Sequence, residues 1–169
     1  MWLKLTGIIF ILISGSGTGW AIAHRYIYRV NYLQELYMAV NLINTEIVYN
    51  QTVLSEALKK TSGQVEKPVS DLFETASKHL NDEKDILFAS LWSDILKEST
   101  LCSNDRKIML EWGKKLGKSQ INEQEKNNKL TMEKLANAKK RAERTADKKV
   151  KLARYSGVLI SFMIIILCC

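Results

Sequence analysis

The chain has 169 residues, a formal net charge of +7, 46% hydrophobic and 25% charged residues, one proline and eight glycines. That suits one domain with its own core and excludes a disulfide scaffold, because Cys102 is the only cysteine in the hydrophilic part, Cys168 and Cys169 lying in the apolar C-terminal stretch. Residues 25–138 hold sixteen bases and sixteen acids, so the excess charge sits elsewhere: one at Lys4 and six in residues 139–154. A basic charge confined to the flanks of apolar segments argues for anionic lipid rather than nucleic acid, since no nucleic-acid motif accompanies it.

The first element is apolar. Leu5 to Ala23 is nineteen residues without Asp, Glu, Lys or Arg, roughly 28 Å of helix against a hydrocarbon core of about 30 Å. Residues 1–24 are therefore expected to form an N-terminal transmembrane helix. A cleavable signal peptide is the rival, because Ala21-Ile22-Ala23 has the small-x-small form of a cleavage site. Cleavage would place Arg25, Arg29 and the eight bases of residues 139–154 outside the cell, which the positive-inside bias opposes. An uncleaved anchor, with both termini outside and the middle in the cytoplasm, fits the charges better.

Residues 25–154 read as helix throughout, with no long period-two run of β-branched residues that would build a sheet. No Pro or Gly interrupts from Trp20 to Ser62, and Leu33, Leu36, Val40, Ile43 and Ile47 recur at steps of three and four as an apolar seam. A break is expected at Asn50-Gln51-Thr52, with Thr52 capping a second helix that buries Leu54 and Leu58 and stops at Gly63. Pro68 opens a third helix patterned by Val69, Leu72, Phe73, Ala76 and Leu80. A fourth follows Asn81-Asp82 and carries Ile86, Phe88, Leu91, Trp92 and Ile95. Ser103 or Asn104 caps a fifth, with Ile108, Met109, Trp112 and Leu116 inward and its end at Gly117. From Ser119 no Pro or Gly appears until Gly157, so one rod of nearly fifty residues is expected to run into a C-terminal transmembrane helix over residues 155–169. Its apolar face is thin (Ile121, Leu130, Met132, Leu135) and continues as small residues at Ala138, Ala142, Ala146, Val150 and Ala153. The fold class is all-α: a cytoplasmic bundle of about six helices between two spans.

The chemistry-bearing residues point to contacts rather than catalysis. Gly-Ser-Gly-Thr-Gly at residues 15–19 lacks the lysine of a phosphate loop. Gly15 and Gly19 instead offer a close-packing face within the membrane, or are incidental membrane glycines. Two histidines and no ligand spacing make a metal site improbable, and no Ser/His/Asp, Cys/His or isolated carboxylate pair stands out, so neither cofactor nor enzyme activity is expected. Glu46 and Tyr49, three apart after the apolar seam, either reach a neighbouring helix or stay solvated. Gly113 and Gly117, beside Trp112 and Leu116, mark a crowded helix crossing. Arg25, Arg29, Lys148, Lys149, Lys151 and Arg154 are the candidates for lipid headgroups.

The run Thr45-Glu46-Ile47-x-Tyr49 followed by Leu54-Ser55-Glu56-Ala57-Leu58, then Leu110-x-x-Gly113-x-x-Leu116-Gly117-x-Ser119 and Gln124, resembles the stage III sporulation protein AB family. It departs at Val53, where the family often has proline, which leaves the start of the second helix less sharply defined. The resemblance covers essentially the whole chain. It implies a mother-cell protein at the outer forespore membrane of endospore-forming bacteria, with a cytoplasmic domain similar to the F-type platform of type II secretion. Its implied partners are the companion stage III AA ATPase and other channel proteins, with self-association left open. Glu46, Tyr49, Leu54, Leu58, Gly113, Gly117 and Gln124 become the candidates for partner or helix contacts. A structural pore component without an ATPase partner is the alternative, hinted at only by Ser14, Ser16, Thr18 and Ser161 within the spans.

Overall fold

A computed structural model describes residues 24–82, 87–117 and 121–168, with side chains as far as Lys149. Every regular element among them is helical. Helix α1 covers residues 24–44 and passes directly into a π-helical turn, Thr45–Tyr49. It is followed by α2 (Leu54–Ser62), α3 (Val69–Asp82), α4 (Phe88–Glu98), α5 (Ser103–Lys115) and α6 (Ile121–Cys168). Among the described residues no helix is long and apolar enough to cross a membrane. The expected first span, with Gly15 and Gly19, lies outside them but for His24, and of residues 155–168 only the helical backbone is described. Residues 32–139 form one compact unit, and the described residues 24–31 and 140–168 belong to a second.

The 32–139 unit is built around aromatic rings. Phe73 of α3, Phe88 and Trp92 of α4 and Trp112 of α5 meet at centroid distances of 5.3 to 6.5 Å. Most of these contacts are edge-to-face or tilted, arrangements worth about 0.5–1.5 kcal/mol per pair beyond the area buried. The cluster holds α3, α4 and α5 together, α3 on α4 and α4 on α5, while α2 packs on α3. Leu33, Leu36, Val40 and Ile43 are fully buried, as their spacing predicts, whereas Ile47 is only half-buried because the π turn ends the 3.6-residue period.

Three expectations need correction. Thr52 does not cap α2. Val53 holds the N-cap position with extended backbone (φ −61°, ψ 142°) and no side-chain cap, while the Thr52 hydroxyl donates to Glu46. Nor do Ser103 or Asn104 cap α5. Cys102 takes that position and its Sγ donates to the buried Asp105 carboxylate at 2.9 Å. The apolar face expected of α6 is buried from Leu135 onward, through Ala138, Ala142 and Ala146, but not before it: Ile121 and Leu130 are 49% and 44% exposed and Met132 is half-buried. The inward residues are Gln124, Asn128 and Thr131, then Leu135, Ala138, Ala142 and Ala146. Polar side chains can take such a stripe because their partners are inside with them.

Candidate functional site

Two structures stand out where α1 ends and α6 begins: a braced corner and a buried polar tie. The corner is made by the π turn. Its wider winding carries the chain past the end of α1, Gln51 takes a positive φ of 52°, and α2 starts three residues later, at Leu54. Glu46 holds this path. Its carboxylate accepts from Asn50 Nδ2 at 3.0 Å, Thr52 Oγ1 at 2.8 Å and Lys60 Nζ at 3.1 Å, so one side chain spans the π turn, the linker and α2. The Thr52 bond, then the Lys60 bond, hold its pKa below the ordinary carboxylate value, and Glu46 in turn raises that of Lys60. Glu46 is thus engaged within its own chain. Tyr49, by contrast, stands 68% exposed. The two do not behave as one face, since the wider winding of a π turn leaves a residue three places on further from its starting face than an α-helix does.

The polar tie lies just inside. Asn128 Nδ2 donates to Asn44 Oδ1 at 3.0 Å, joining α6 to α1, and Asn128 Oδ1 accepts from Trp112 Nε1 of α5 at 2.9 Å and from Gln124 Nε2 at 3.2 Å. Gln124 Oε1 accepts the Gly117 backbone N–H at 3.3 Å. A second bond, Lys139 Nζ to Gln34 Oε1 at 2.7 Å, lies further along the same pair of helices and sets them antiparallel. Asn44, Gln124 and Asn128 are almost fully buried, so every one of these groups must find its partner inside.

Both candidate glycines have a structural reason to be glycine. A Cβ on Gly113 would stand 2.1 Å from Trp92 Cδ1, and Trp92 is held in place by its Nε1 bond to the Met109 carbonyl at 2.9 Å. Gly117 has φ +75° and turns the chain from α5 toward α6, with Leu54 of α2 lying 3.5 Å from where its Cβ would be. Gly117, Gln124 and the half-buried Leu54 therefore converge on one junction, Gly113 packs instead against Trp92, and Leu58 is fully buried between α2 and its neighbours. Of the headgroup candidates, Arg25, Lys148 and Lys149 are exposed and Arg29 half-buried, while the side chains of Lys151 and Arg154 lie outside the described residues.

Sequence reasoning missed Asn44, Asn128 and the two tryptophan N–H donors. The signal was there: Gln124, Asn128 and Thr131 continue the Leu135, Ala138, Ala142 stripe at steps of three and four. Among the described residues no group of three or more His, Cys, Asp or Glu could hold a metal ion.

A family model described as stage III sporulation protein AB matches residues 4–169. The Bacillus subtilis (strain 168) stage III sporulation protein AB is 28% identical over 169 residues, covering 98% of each chain. A solved structure of a stage III sporulation protein AB superposes with a TM-score of 0.65 at 25% identity, over 71% of this chain and 97% of the other.

Proposed function

The chain belongs to the stage III sporulation protein AB family, and we propose that it acts as a non-enzymatic membrane platform that docks a cytoplasmic secretion-type ATPase in the channel between mother cell and forespore. Both termini are anchors in this role, and the bundle faces the cytoplasm at the outer forespore membrane, its juxtamembrane bases against lipid headgroups. Two anchors remove tumbling and raise the effective concentration of the bundle for other membrane-bound channel proteins.

One observation carries the proposal. The polar side chains with chemical potential, Glu46, Gln124, Asn128 and Asn44, are spent on fastening helices to each other, which builds a stiff body with its exposed residues in fixed places. Such a body suits recognition, because little order is left to lose on binding. The test is co-purification: the full-length chain, extracted in mild detergent, is expected to retain the companion stage III AA ATPase at a fixed ratio. Failure to bind the folded ATPase across a range of salt concentrations would defeat the platform role and leave the structural pore component standing.

A further inference from the structure

The buried face of α6 repeats itself at steps of four. Gln124 and Asn128 are buried amides four residues apart, and Ala138, Ala142 and Ala146 are buried alanines at the same step. Packing sets the register of a helix only where successive places take side chains of different shape. An advance of α6 by four residues is about 6 Å along its axis. It would bring Gln124 to the place of Asn128, Ala138 to that of Ala142 and Ala142 to that of Ala146. Amide falls on amide and methyl on methyl. The places of Leu135, Ala138 and Lys139 fit worse, receiving Thr131, Lys134 and Leu135, which favours the observed register.

The start of the helix leaves room for the step. Ile121, Asn122 and Glu123 are exposed, so the first turn can unwind without uncovering core. Beyond it α6 is unbroken to Cys168, so the rest of the helix would advance together. Against the step stand two pins between antiparallel helices, Asn44–Asn128 and Gln34–Lys139, ten residues apart on α1 and eleven on α6. The first pin is the stronger in consequence. Asn128 serves three partners where it stands, Asn44, the Trp112 N–H and Gln124. In the advanced register it would occupy the half-buried place of Met132, and Gln124 would face Asn44 and Trp112 instead.

We propose that α6 has two registers against α1, one turn apart, and that Asn128 is the latch holding it in the observed one. Buried polar side chains are well suited to choosing between registers that apolar packing accepts, and one-turn shifts of a packed helix are an established kind of two-state element. Loss of the Asn128 amide removes three bonds from the observed register and none from the advanced one, where Gln124 supplies the amide. The latch does not depend on the platform role.

The experiment puts nitroxide labels at Asn41→Cys on α1 and Asn137→Cys on α6, both exposed, and reads their separation by pulsed electron resonance. It uses the full-length, detergent-solubilised chain with Cys102, Cys168 and Cys169 replaced by serine. The chain with Asn128 intact is expected to give one distance. Asn128→Leu is expected to add a second, displaced by up to about 6 Å, in about a tenth of the molecules or more. Asn128→Gln keeps an amide in place, and Val40→Ala loosens the buried face of α1 by packing alone; each is expected to keep one distance. Adding Gln124→Leu to Asn128→Leu takes away the replacement amide and is expected to abolish the second distance. Circular dichroism melts establish folding, and Asn128→Ser carries the same expectation should Asn128→Leu not fold. A folded Asn128→Leu or Asn128→Ser chain that keeps the single distance would overturn the latch. A second distance in Val40→Ala would overturn it too, by making slippage a consequence of lowered stability. One that persists without Gln124 would overturn the advanced register as described.

Discussion

Asn128 and Asn44 meet side chain to side chain at 3.0 Å across eighty-four residues of sequence, in a site where both are almost fully buried. This contact ties the last helix of the 32–139 unit to the first and, through Trp112 and Gln124, to the end of α5. An apolar pair could have packed there with more burial energy. A polar pair instead admits only one register, because a slip by one residue would leave several buried donors and acceptors unmatched.

Asn128→Leu is therefore expected to destabilise the bundle strongly. It orphans Asn44, the Trp112 N–H and one end of Gln124, each worth about 1–3 kcal/mol when left unpaired, so the loss should reach at least 3 kcal/mol on that scale. Urea unfolding followed by circular dichroism measures it. The double variant Asn44→Leu/Asn128→Leu should lose less than the sum of the two single changes, since each single change already breaks the same bond.

Gly113→Ala sets two effects against each other. Alanine should gain about 1 kcal/mol over glycine inside a helix. The new Cβ, however, meets Trp92 Cδ1 at 2.1 Å, and Trp92 cannot swing away without giving up its bond to Met109 and its contacts with Phe73, Phe88 and Trp112. Overpacking of this kind costs about 1–3 kcal/mol or more, so a net loss is expected. A lower melting temperature together with a changed near-ultraviolet tryptophan signal checks it.

Much of the fold is legible in the sequence, for reasons visible in single residues. Leu33, Leu36, Val40 and Ile43 sit at helical spacing and are buried, and the absence of Pro and Gly between Ser119 and Gly157 foretells the unbroken α6. The π turn is not legible, because a period of 3.6 assumes the ordinary i→i−4 bond and Ile47 continues that period on paper. The inward face at the start of α6, before Leu135, is missed for another reason. Apolarity marks a buried face only when the face is apolar, and Gln124 and Asn128 are buried with their partners. At the candidate site, Gly113 and Gly117 announce a crowded crossing, but nothing in their neighbourhood names Trp92, twenty-one residues away, as the group that crowds the first.

The Glu46 corner should respond to acid. Its folded pKa lies below the 4.5 of an unperturbed glutamate, chiefly through Thr52 and then Lys60, so the carboxylate contributes stability that is present above that value and lost as pH falls through the depressed folded pKa. Lys60 is raised by Glu46, so its share is present below its ordinary value and fades only as pH rises through the raised one. The melting-temperature gap between wild type and Glu46→Gln should then be steady through neutral pH and shrink as pH falls below 4.5. A gap that persists unchanged at pH 3 would show that charge at Glu46 does not brace the corner.

Val53→Pro should be accepted. Its φ of −61° is that of a proline ring, and its place before the first turn of α2 asks no helical bond of its N–H. Restricting the unfolded chain at a compatible site typically adds about 0.4–1 kcal/mol, readable as a higher urea midpoint at unchanged slope.

The platform role depends above all on a helical body presented to the cytoplasm by anchors at both ends. Single cysteines at Ser62→Cys and Asn104→Cys, both on the 32–139 unit, in a chain whose Cys102, Cys168 and Cys169 are replaced by serine, report this directly in intact cells. The account predicts no reaction with a membrane-impermeant maleimide until the cells are permeabilised, and labelling at both sites afterwards. Labelling of either site in intact cells would place the body on the other side of the membrane, out of reach of any cytoplasmic ATPase.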